Sequence, residues 1–458
     1  MSHFTSKPER QRLFGTDGVR GVANVEPMTV ETAVRLGRSA AHIFRDGGHR
    51  HRILIGKDTR QSGYMLENAL VAGICSMGVD AVLVGPLPTP GIAFATRALR
   101  ADAGIVISAS HNPYMDNGIK FFDRQGFKLA DEVEERIEEL TFTGRIDDIR
   151  PTAEAVGKAA RIDDVAGRYI EFLKGTLPRG FSLEGMSLVV DGAHGAGYKV
   201  GPAVFRELGA RVTTLGVRPN GTNINEGVGS THPETAAALV REIGADLGVC
   251  LDGDADRCLL IDGRGEVVDG DRVLAICGLD FQRRGRLAND TIVATVMSNL
   301  GLDLALREAG VTVERTPVGD RHVVERMRAG GHCIGGEQSG HTVFLDYNST
   351  GDGLLTALQV LRVVTEQGRS LEELADCMRP LPQVLHNVEI GARRPIEELP
   401  TVVEAIREAE SALGDRGRVL VRYSGTQPLA RVMIEGEDDA EIEALARDIV
   451  TALRDAMQ

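Results

Sequence analysis

Short runs of apolar and β-branched residues alternate with longer amphipathic stretches, and this alternation recurs three times along the chain. The strand-like runs cover residues 52–57, 81–85 and 104–108, then 187–191, 211–215 and 247–251, and then 291–296, 312–315 and 332–335. Helix-like stretches lie between them, among them 31–44, 65–77, 234–243 and 302–309. This pattern is typical of α/β domains. The sequence therefore predicts three similar α/β domains, each with a mixed sheet.

The C-terminal segment has a different order of elements. A strand from about residue 386 is followed by a helix over 399–413, two strands that flank a loop at 424–428, and a helix from about 439 to 457. This order predicts a smaller α+β domain. At about 150 residues per domain, 458 residues suit three or four domains. We expect them to span residues 1–155, 156–258, 259–373 and 374–458 and to surround a central cleft.

Charge and cysteine usage limit the classes of partner. Asp and Glu number 66 against 52 Lys and Arg, a net charge of −14, which disfavours broad binding to nucleic acid or to anionic lipid. The sequence has no run of about 18 apolar residues, and its first twelve residues do not resemble a secretory signal. The six cysteines form no C-x-x-C pair, so we expect free thiols and a cytoplasmic location.

Each group of three predicted strands ends in a polar loop. The loops read SASHNP at 108–113, DGDADR at 252–257 and GGEQSGH at 335–341. In open α/β sheets, ligands bind at the carboxyl ends of the strands. We therefore expect the three loops to line one shared cleft.

The first loop carries a candidate nucleophile, Ser110, followed by His111 and by a proline that forces a sharp turn. A serine that only caps or turns the backbone is the commoner alternative. No G-x-S-x-G motif is present, which disfavours an α/β-hydrolase. Lys120, ten residues further on, either reaches the same loop or is a solvated cation on a strand.

The second loop places Asp252, Asp254 and Asp256 at every second residue, a set of oxygen ligands that suits Mg²⁺. An EF-hand is excluded because Arg257 occupies its glycine position and Gly263 its glutamate position. An acidic turn with N-capping aspartates is the alternative, and it leaves three like charges without a cation.

The third loop combines Glu337, Ser339 and His341 on a glycine turn. These groups suit hydrogen bonds to sugar hydroxyls, and His341 could move a proton because an imidazole titrates near neutral pH. A structural hydrogen-bonded turn is an equally good interpretation.

The C-terminal strand–loop–strand segment has the composition of an anion site. Hydroxyls, backbone N–H groups and two guanidinium groups fit a phosphate, and a hairpin with surface arginines is the alternative. The residues concerned are Arg422, Ser424, Gly425, Thr426 and Arg431.

Motifs of two other phosphate-binding classes are missing. Gly56-Lys57 and Gly157-Lys158 are followed by Asp58 and Ala159, so neither forms a P-loop. Gly195-Ala-Gly197 has Val200 at the third glycine of a dinucleotide fingerprint, which disfavours an NAD-linked oxidoreductase.

With these loops in view, the chain resembles the α-D-phosphohexomutases over nearly its whole length. The family's motifs occur in order: FGTDGVRG, GKDTRQSG, SASHNPYMDNGIKFF, DGDADR, GGEQSGH and R-x-S-G-T. Gln338 and the segment GSTH at 229–232 are similar to the glucosamine branch of that family. The C-terminal loop departs from the family pattern, because Gln427 stands where the family usually has Glu.

The resemblance implies a role for each motif residue. Ser110 would be the phosphoserine and, with the three aspartates, would hold one Mg²⁺. Lys120 and His341 would be general acid/base groups, and the transferred phosphoryl would be positioned by Arg20, His111 and Arg257. Glu337 and Ser339 would bind sugar hydroxyls, and the phosphate that is not transferred would be bound by Arg422, Ser424, Gly425, Thr426 and Arg431.

The implied reaction is the interconversion of glucosamine 6-phosphate and glucosamine 1-phosphate, a step towards UDP-N-acetylglucosamine. It would pass through a 1,6-bisphosphate, and glucosamine or glucose 1,6-bisphosphate would act as the activator. A homodimer is a further expectation. One alternative is phosphoglucomutase or phosphomannomutase activity. The other is a non-catalytic sugar-phosphate-binding protein, and Ser110 and the three aspartates argue against that second alternative.

Overall fold

The computed structural model describes residues 13–15, 17–45, 48–390, 394–423 and 429–457. Their contacts divide the chain into two units. The first comprises Met1–Met297 and Val313–Asp376, and the second comprises Ser298–Thr312 and Cys377–Gln458.

The first sheet is mixed, with strand order β1-β5-β4-β2-β3-β6. Strands β2, β3, β4 and β6 run parallel; β5 is antiparallel to β4, and β1 is antiparallel to β5. Its elements are β1 (Val19–Val22), α1 (Val30–Phe44), β2 (Arg52–Lys57), α2 (Ser62–Ser76), β3 (Asp80–Pro86), α3 (Thr89–Ala98), β4 (Ala103–Ile107), β5 (Asp116–Asp123), α4 (Asp131–Thr143) and β6 (Ala159–Arg161).

The second sheet has the order β11-β10-β9-β7-β8. Strands β7, β8 and β9 are parallel; β10 is antiparallel to β9, and β11 is antiparallel to β10. Its elements are α5 (Val165–Gly175), β7 (Ser187–Asp191), α6 (Val200–Glu207), β8 (Arg211–Leu215), α7 (Pro233–Ile243), β9 (Leu247–Leu251), β10 (Cys258–Ile261) and β11 (Val267–Val268).

The third sheet has the order β13-β12-β14-β15, with β14 parallel to β12 and antiparallel to β15. The elements of this stretch are α8 (Gly270–Arg283), β12 (Thr291–Thr295), α9 (Leu300–Arg307), β13 (Thr312–Thr316), α10 (Asp320–Gly330), β14 (Ile334–Gly336), β15 (Thr342–Phe344), α11 (Gly353–Gln367) and α12 (Leu371–Ala375).

The C-terminal sheet is antiparallel throughout, with the order β16-β18-β17. Helices α13 and α14 pack on it around a core that includes Val432, Ile434 and Ile449. The elements are β16 (Gln383–Glu389), α13 (Pro400–Leu413), β17 (Arg418–Tyr423), β18 (Leu429–Glu435) and α14 (Asp439–Met457).

The three larger sheets share one local arrangement that places the polar loops. In each, a parallel strand leads into the loop and an antiparallel strand leads out of it: β4 to β5, β9 to β10, and β14 to β15. Strands β4 and β9 are buried along their whole length, which explains their continuous apolar sequences. The loops therefore start from rigid strand ends.

The predicted fold class is confirmed: three mixed α/β sheets are followed by a small α+β unit. The domain boundaries remain a proposal. Strand β6 pairs with the first sheet and β10 and β11 with the second, so we place these strands with the domains that precede them. The six cysteines are free thiols, and none of the helices among the described residues combines the length and apolarity that a membrane crossing needs.

Candidate active site

Ser110 lies on a sharp turn directly after β4. Its φ is +52°, a left-handed conformation that is unusual for a residue with a side chain, and it is buried. The Ser110 N–H donates to Oγ of Ser108 at 2.9 Å, and the Ser108 hydroxyl donates to Asp58 at 2.6 Å. The turn is thus held by Ser108 within it and by Asp58, which follows β2.

Arg60 is fully buried and holds the same loop through hydrogen bonds to its backbone. Its Nη2 donates to the carbonyl oxygens of Ser110 at 3.2 Å and Asn112 at 2.5 Å, and its Nε donates to the carbonyl of Asp116 at 2.9 Å. Asp58 balances the charge at 2.9 Å from Nη1. A planar guanidinium can satisfy this many acceptors at once, so Arg60 positions the candidate nucleophile.

The second loop reaches the first through Asp252. The Ser110 hydroxyl donates to Oδ2 of Asp252 at 2.5 Å. A Cβ on Gly253 would lie 2.5 Å from the Ser110 carbonyl oxygen, so the close approach of the two loops requires glycine there. One carboxylate oxygen from each of Asp252, Asp254 and Asp256 lies within 4.8 Å of the others, as the sequence predicts.

The three carboxylates are buried and repel one another. Burial raises the pKa of Asp252 well above its usual value, and Asp256 and Asp254 raise it further. The pKa of Asp256 is raised by burial and then by Asp254. Oδ1 of Asp254 and Oδ1 of Asp256 are buried and accept no hydrogen bond from the described residues. Buried oxygens without donors are what a hard divalent cation would bind.

Lys120 lies in this carboxylate cluster and is not a solvated cation. It is buried, and its Nζ is 3.0 Å from Asp254, 3.0 Å from Asp17 and 3.8 Å from Asp256. Burial lowers the pKa of Lys120, but the three carboxylates outweigh burial and raise it. Burial also opposes ionisation of Asp254, yet Lys120 and the Thr89 hydroxyl, at 2.8 Å, hold its pKa below the usual value. Both groups therefore stay charged.

His341 joins the cluster through acids that the sequence analysis did not single out. Its Nε2 lies 3.9 Å from Asp256 and 3.6 Å from Asp320. Asp320 pairs with Lys128 at 2.5 Å, and Lys128 also contacts Asp17. Asp17 belongs to the motif FGTDGVRG, so the sequence does indicate its proximity to the site. No motif of the sequence contains Asp320 or Lys128.

Arg20, His111 and Arg257 add positive or neutral donors to the site. Arg20 pairs with Asp17, and the backbone N–H of Arg257 donates to Oδ1 of Asp252 at 3.2 Å. Burial lowers the pKa of His111 to about 4, and Arg257 and Arg20 contribute to the decrease. His111 is therefore neutral near pH 7.

The third loop is closed by its own backbone and is bonded to neighbouring segments. Oε1 of Glu337 accepts the Gly319 N–H at 3.2 Å, and the Ser339 side chain is exposed. The carbonyl of Glu337 accepts the Gly340 N–H at 3.0 Å, which closes the turn. Both side chains lie on the loop between β14 and β15, and His341 at its end reaches the carboxylate cluster.

The second unit carries the predicted phosphate-binding arginines. Arg422 on β17 lies directly opposite Arg431 on β18. Burial lowers the pKa of Arg422, and the neighbouring Arg431 lowers it further. Two like charges facing each other favour binding of an anion. The other three predicted residues, Ser424, Gly425 and Thr426, lie outside the described residues, as does Gln427.

Comparison with known proteins agrees with this arrangement. Sequence models of the phosphoglucomutase/phosphomannomutase family match in four pieces: alpha/beta/alpha domain I at residues 11–146, domain II at 168–265, domain III at 269–381 and the C-terminal domain at 385–452. The phosphoglucosamine mutase of Syntrophotalea carbinolica is 60% identical over 445 residues, which cover 97% of this chain and 97% of that protein.

Two solved structures are also similar. A phosphoglucomutase/phosphomannomutase family protein from Burkholderia thailandensis matches with a TM-score of 0.81 at 25% identity, covering 97% of this chain and 98% of that one. The N-acetylphosphoglucosamine mutase of Aspergillus fumigatus, in complex with GlcNAc-6P and magnesium, shares the fold with a TM-score of 0.66 at 19% identity, covering 99% and 97%. The chain therefore belongs to the phosphoglucosamine mutases of the phosphoglucomutase/phosphomannomutase family.

Proposed function

We propose that this chain is an isomerase that interconverts glucosamine 6-phosphate and glucosamine 1-phosphate through a phosphoserine and a 1,6-bisphosphate. The product would supply UDP-N-acetylglucosamine synthesis. The observation that carries the proposal is the 2.5 Å hydrogen bond between Ser110 and Asp252, in a chain 60% identical to a phosphoglucosamine mutase.

The residues of the carboxylate cluster fit Mg²⁺. Three buried carboxylates offer oxygens, and two of those oxygens accept no hydrogen bond from the described residues. Mg²⁺ takes few protein carboxylates and completes its shell with phosphate and water oxygens. We propose that Asp252, Asp254, Asp256 and the phosphate on Ser110 hold one Mg²⁺, which would neutralise charge on the transferred phosphoryl.

Two cations and a neutral imidazole around Ser110 would align that phosphoryl. Phosphoryl transfer depends mainly on positioning and on balancing charge over the moving oxygens. We assign this role to Arg20, His111 and Arg257, because they converge on the loops that carry Ser110 and Asp252. His111, being neutral, can donate one hydrogen bond without adding charge.

Lys120 and His341 have different environments and suit different proton-transfer roles. Three carboxylates keep Lys120 protonated, so it can stabilise negative charge on the transferred phosphoryl. We propose Lys120 as the proton donor of the pair, because it carries a proton in the resting site. His341 is buried beside Asp256 and Asp320, within reach of the same cluster. We propose His341 as the group that accepts a proton from the attacking sugar hydroxyl.

Substrate recognition would be shared by two further groups. Glu337 and the exposed Ser339 would bind sugar hydroxyls, with Ser339 free to adapt to a substrate that must bind in two orientations. Arg422 and Arg431, with Ser424, Gly425 and Thr426, would bind the phosphate that is not transferred. Each charge-assisted contact contributes about 1.5–3 kcal/mol. We therefore expect Arg422→Ala to raise KM by about tenfold to a hundredfold, and exposed Arg407→Ala to leave it unchanged.

The remaining expectations stay predictions. They are activation by glucosamine or glucose 1,6-bisphosphate, a cytoplasmic location, a homodimer, and the absence of a nucleic-acid or membrane partner.

Substrate choice is the decisive test of the proposed reaction. We expect kcat/KM for glucosamine 6-phosphate to exceed that for glucose 6-phosphate and mannose 6-phosphate. A clear preference for glucose or mannose phosphates would replace the proposed substrate. Intact-protein mass spectrometry should detect one phosphate on the enzyme, and that phosphate should be lost in Ser110→Ala.

A further inference from the structure

The first sheet carries a second cluster of potential metal ligands, at the end of β4 opposite to Ser110. Asp102 directly precedes β4, and His49 and His51 precede β2. Because β2 and β4 are parallel neighbours, the three residues meet at the amino-terminal ends of these two strands. Ser110 follows the other end of β4, and a five-residue strand spans about 17 Å. The cluster is therefore separate from the candidate active site.

The ligand atoms of the cluster have the spacing that a metal ion needs. Nε2 of His49 lies 3.1 Å from Oδ1 of Asp102, and Nδ1 of His51 lies 3.4 Å from Oδ2. All three ligand atoms lie within 4.8 Å of one another. Ligands about 2.0–2.1 Å from a tetrahedral zinc ion are themselves about 3.3 Å apart. Small rotations of the two imidazoles would therefore suffice to close the site.

Asp102 is fixed while His49 opens to solvent. Oδ2 of Asp102 accepts the Arg52 N–H at 2.9 Å, and the Asp102 N–H donates to the Arg52 carbonyl at 2.9 Å. The side chain of Asp102 is 5% exposed and that of His49 57% exposed. A metal ion can thus enter from solvent, and a water molecule can complete its coordination.

We propose that His49, His51 and Asp102 form a binding site for a transition-metal ion of the Zn²⁺ class. Two imidazole nitrogens and one carboxylate oxygen are ligands that Zn²⁺ accepts, with a fourth position left for water. Mg²⁺ prefers oxygen ligands, so it would select the aspartates beside Ser110 instead. The first sheet would then have cation sites of different chemistry at the opposite ends of β4.

Arg124 is the competing cation at this site. Its Nη2 lies 3.3 Å from Oδ1 of Asp102, and its side chain is 65% exposed. A bound metal ion would displace this guanidinium, because both need the same carboxylate oxygen. Removing it should strengthen metal binding about twofold to fivefold, the value of one exposed ion pair.

The test is a Zn²⁺ titration of the full chain in excess Mg²⁺, followed by calorimetry and by metal analysis after dialysis. We expect the wild type to bind one more Zn²⁺ than His49→Ala, or to bind it at least about tenfold more tightly. Zn²⁺ should also raise the Tm of the wild type more than that of His49→Ala. Arg124→Ala should bind Zn²⁺ more tightly than the wild type.

His232→Ala is the matched control, because His232 is also an exposed histidine paired with a carboxylate, Glu234, at 3.2 Å. It should bind Zn²⁺ as the wild type does. Mutase turnover in Mg²⁺ alone should be the same in His49→Ala and in the wild type. Equal Zn²⁺ stoichiometry and affinity in the wild type and His49→Ala would overturn the proposal, whatever the state of the active site.

Discussion

The hydroxyl of Ser110 donates to Oδ2 of Asp252 at 2.5 Å, although 142 residues separate the two in the sequence. Each residue lies on the loop that follows a buried strand: Ser110 is the third residue after β4, and Asp252 is the first after β9. The two sheets thereby bring the candidate nucleophile and three candidate metal ligands to one point. A phosphate on Ser110 would lie next to a cation bound by these carboxylates.

Ser110→Ala should abolish turnover while the protein stays folded. The hydroxyl is the proposed phosphate carrier, and the other groups of the site cannot replace it, so we expect kcat to fall by at least about 10³-fold. Steady-state assays with glucosamine 6-phosphate and glucosamine 1,6-bisphosphate measure turnover, and a thermal melt shows whether the variant stays folded.

Ser339→Ala provides the contrast to Ser110→Ala. Ser339 is exposed and proposed to contact only a sugar hydroxyl, so its loss should raise KM and leave the phosphoenzyme intact. The phosphoserine mechanism would be wrong if Ser110→Ala kept wild-type turnover.

Asp252→Asn should separate metal binding from stability. In the metal-free protein Asp252 is buried and repelled by Asp256 and Asp254, so its neutral replacement should be at least as stable as the wild type in EDTA. Mg²⁺ at about 100 times its Kd should stabilise the wild type by about 2.7 kcal/mol and the variant by much less. Urea denaturation with and without Mg²⁺ measures the two effects.

The control is Asp246→Asn, at an exposed carboxylate that accepts the Ser187 N–H at 2.7 Å. It should keep the full Mg²⁺ effect. A Mg²⁺ response in Asp252→Asn equal to that of the wild type would show that Asp252 is not a ligand.

The features that the sequence predicts best are those that a local residue pattern determines. Strands β7, β8 and β9 begin and end where their runs of apolar and β-branched residues predict. The spacing of the three aspartates predicts their convergence, because residues at every second position of a tight loop can turn their oxygens to one point. Local pattern was sufficient in both cases.

The groups that surround the site could not be predicted in the same way. Local sequence does not decide whether Lys120 is a solvated cation on a strand or reaches the site. The pairing of β5 with β4 sets Lys120 opposite Val106, and the approach of the loop after β9 brings Asp254 to 3.0 Å from its Nζ. Asp320 and Lys128 meet across 192 residues, and nothing near either one in the sequence indicates the partner. Contacts between distant segments depend on how sheets pack, which local periodicity does not encode.

Arg60→Lys should lower kcat by disturbing the backbone turn that carries Ser110. Lysine keeps a charge near Asp58 but cannot donate to the carbonyls of Ser110, Asn112 and Asp116 together. The turn that carries Ser110 would shift, and a displacement of about 1 Å costs on the order of 10²-fold in rate. Arg97→Lys is the control, because Arg97 is exposed and its Nη2 donates to the Tyr347 carbonyl at 3.3 Å, far from any group of the Ser110 turn named above. An unchanged kcat in Arg60→Lys would remove its positioning role.

Asp352 should make the stability of the protein depend on pH. It caps α11 by accepting the Leu355 N–H at 3.0 Å, and it accepts the Tyr169 hydroxyl at 2.8 Å. Burial raises its pKa from 3.8 to about 6, so the folded state binds more protons than the unfolded state between these values. Its contribution to the free energy of unfolding is therefore largest below about pH 4 and falls as the pH rises through about 6.

Comparison with Asp352→Asn isolates this effect, because other titrating groups cancel in the difference. The free energy of unfolding of the wild type minus that of the variant should fall by about 2–3 kcal/mol between pH 4 and pH 7, measured by urea denaturation. The Tyr169 hydroxyl lowers the pKa of Asp352, so Tyr169→Phe should extend the fall to higher pH. A difference that stays flat over this range would mean that Asp352 ionises in the folded protein as easily as in the unfolded chain.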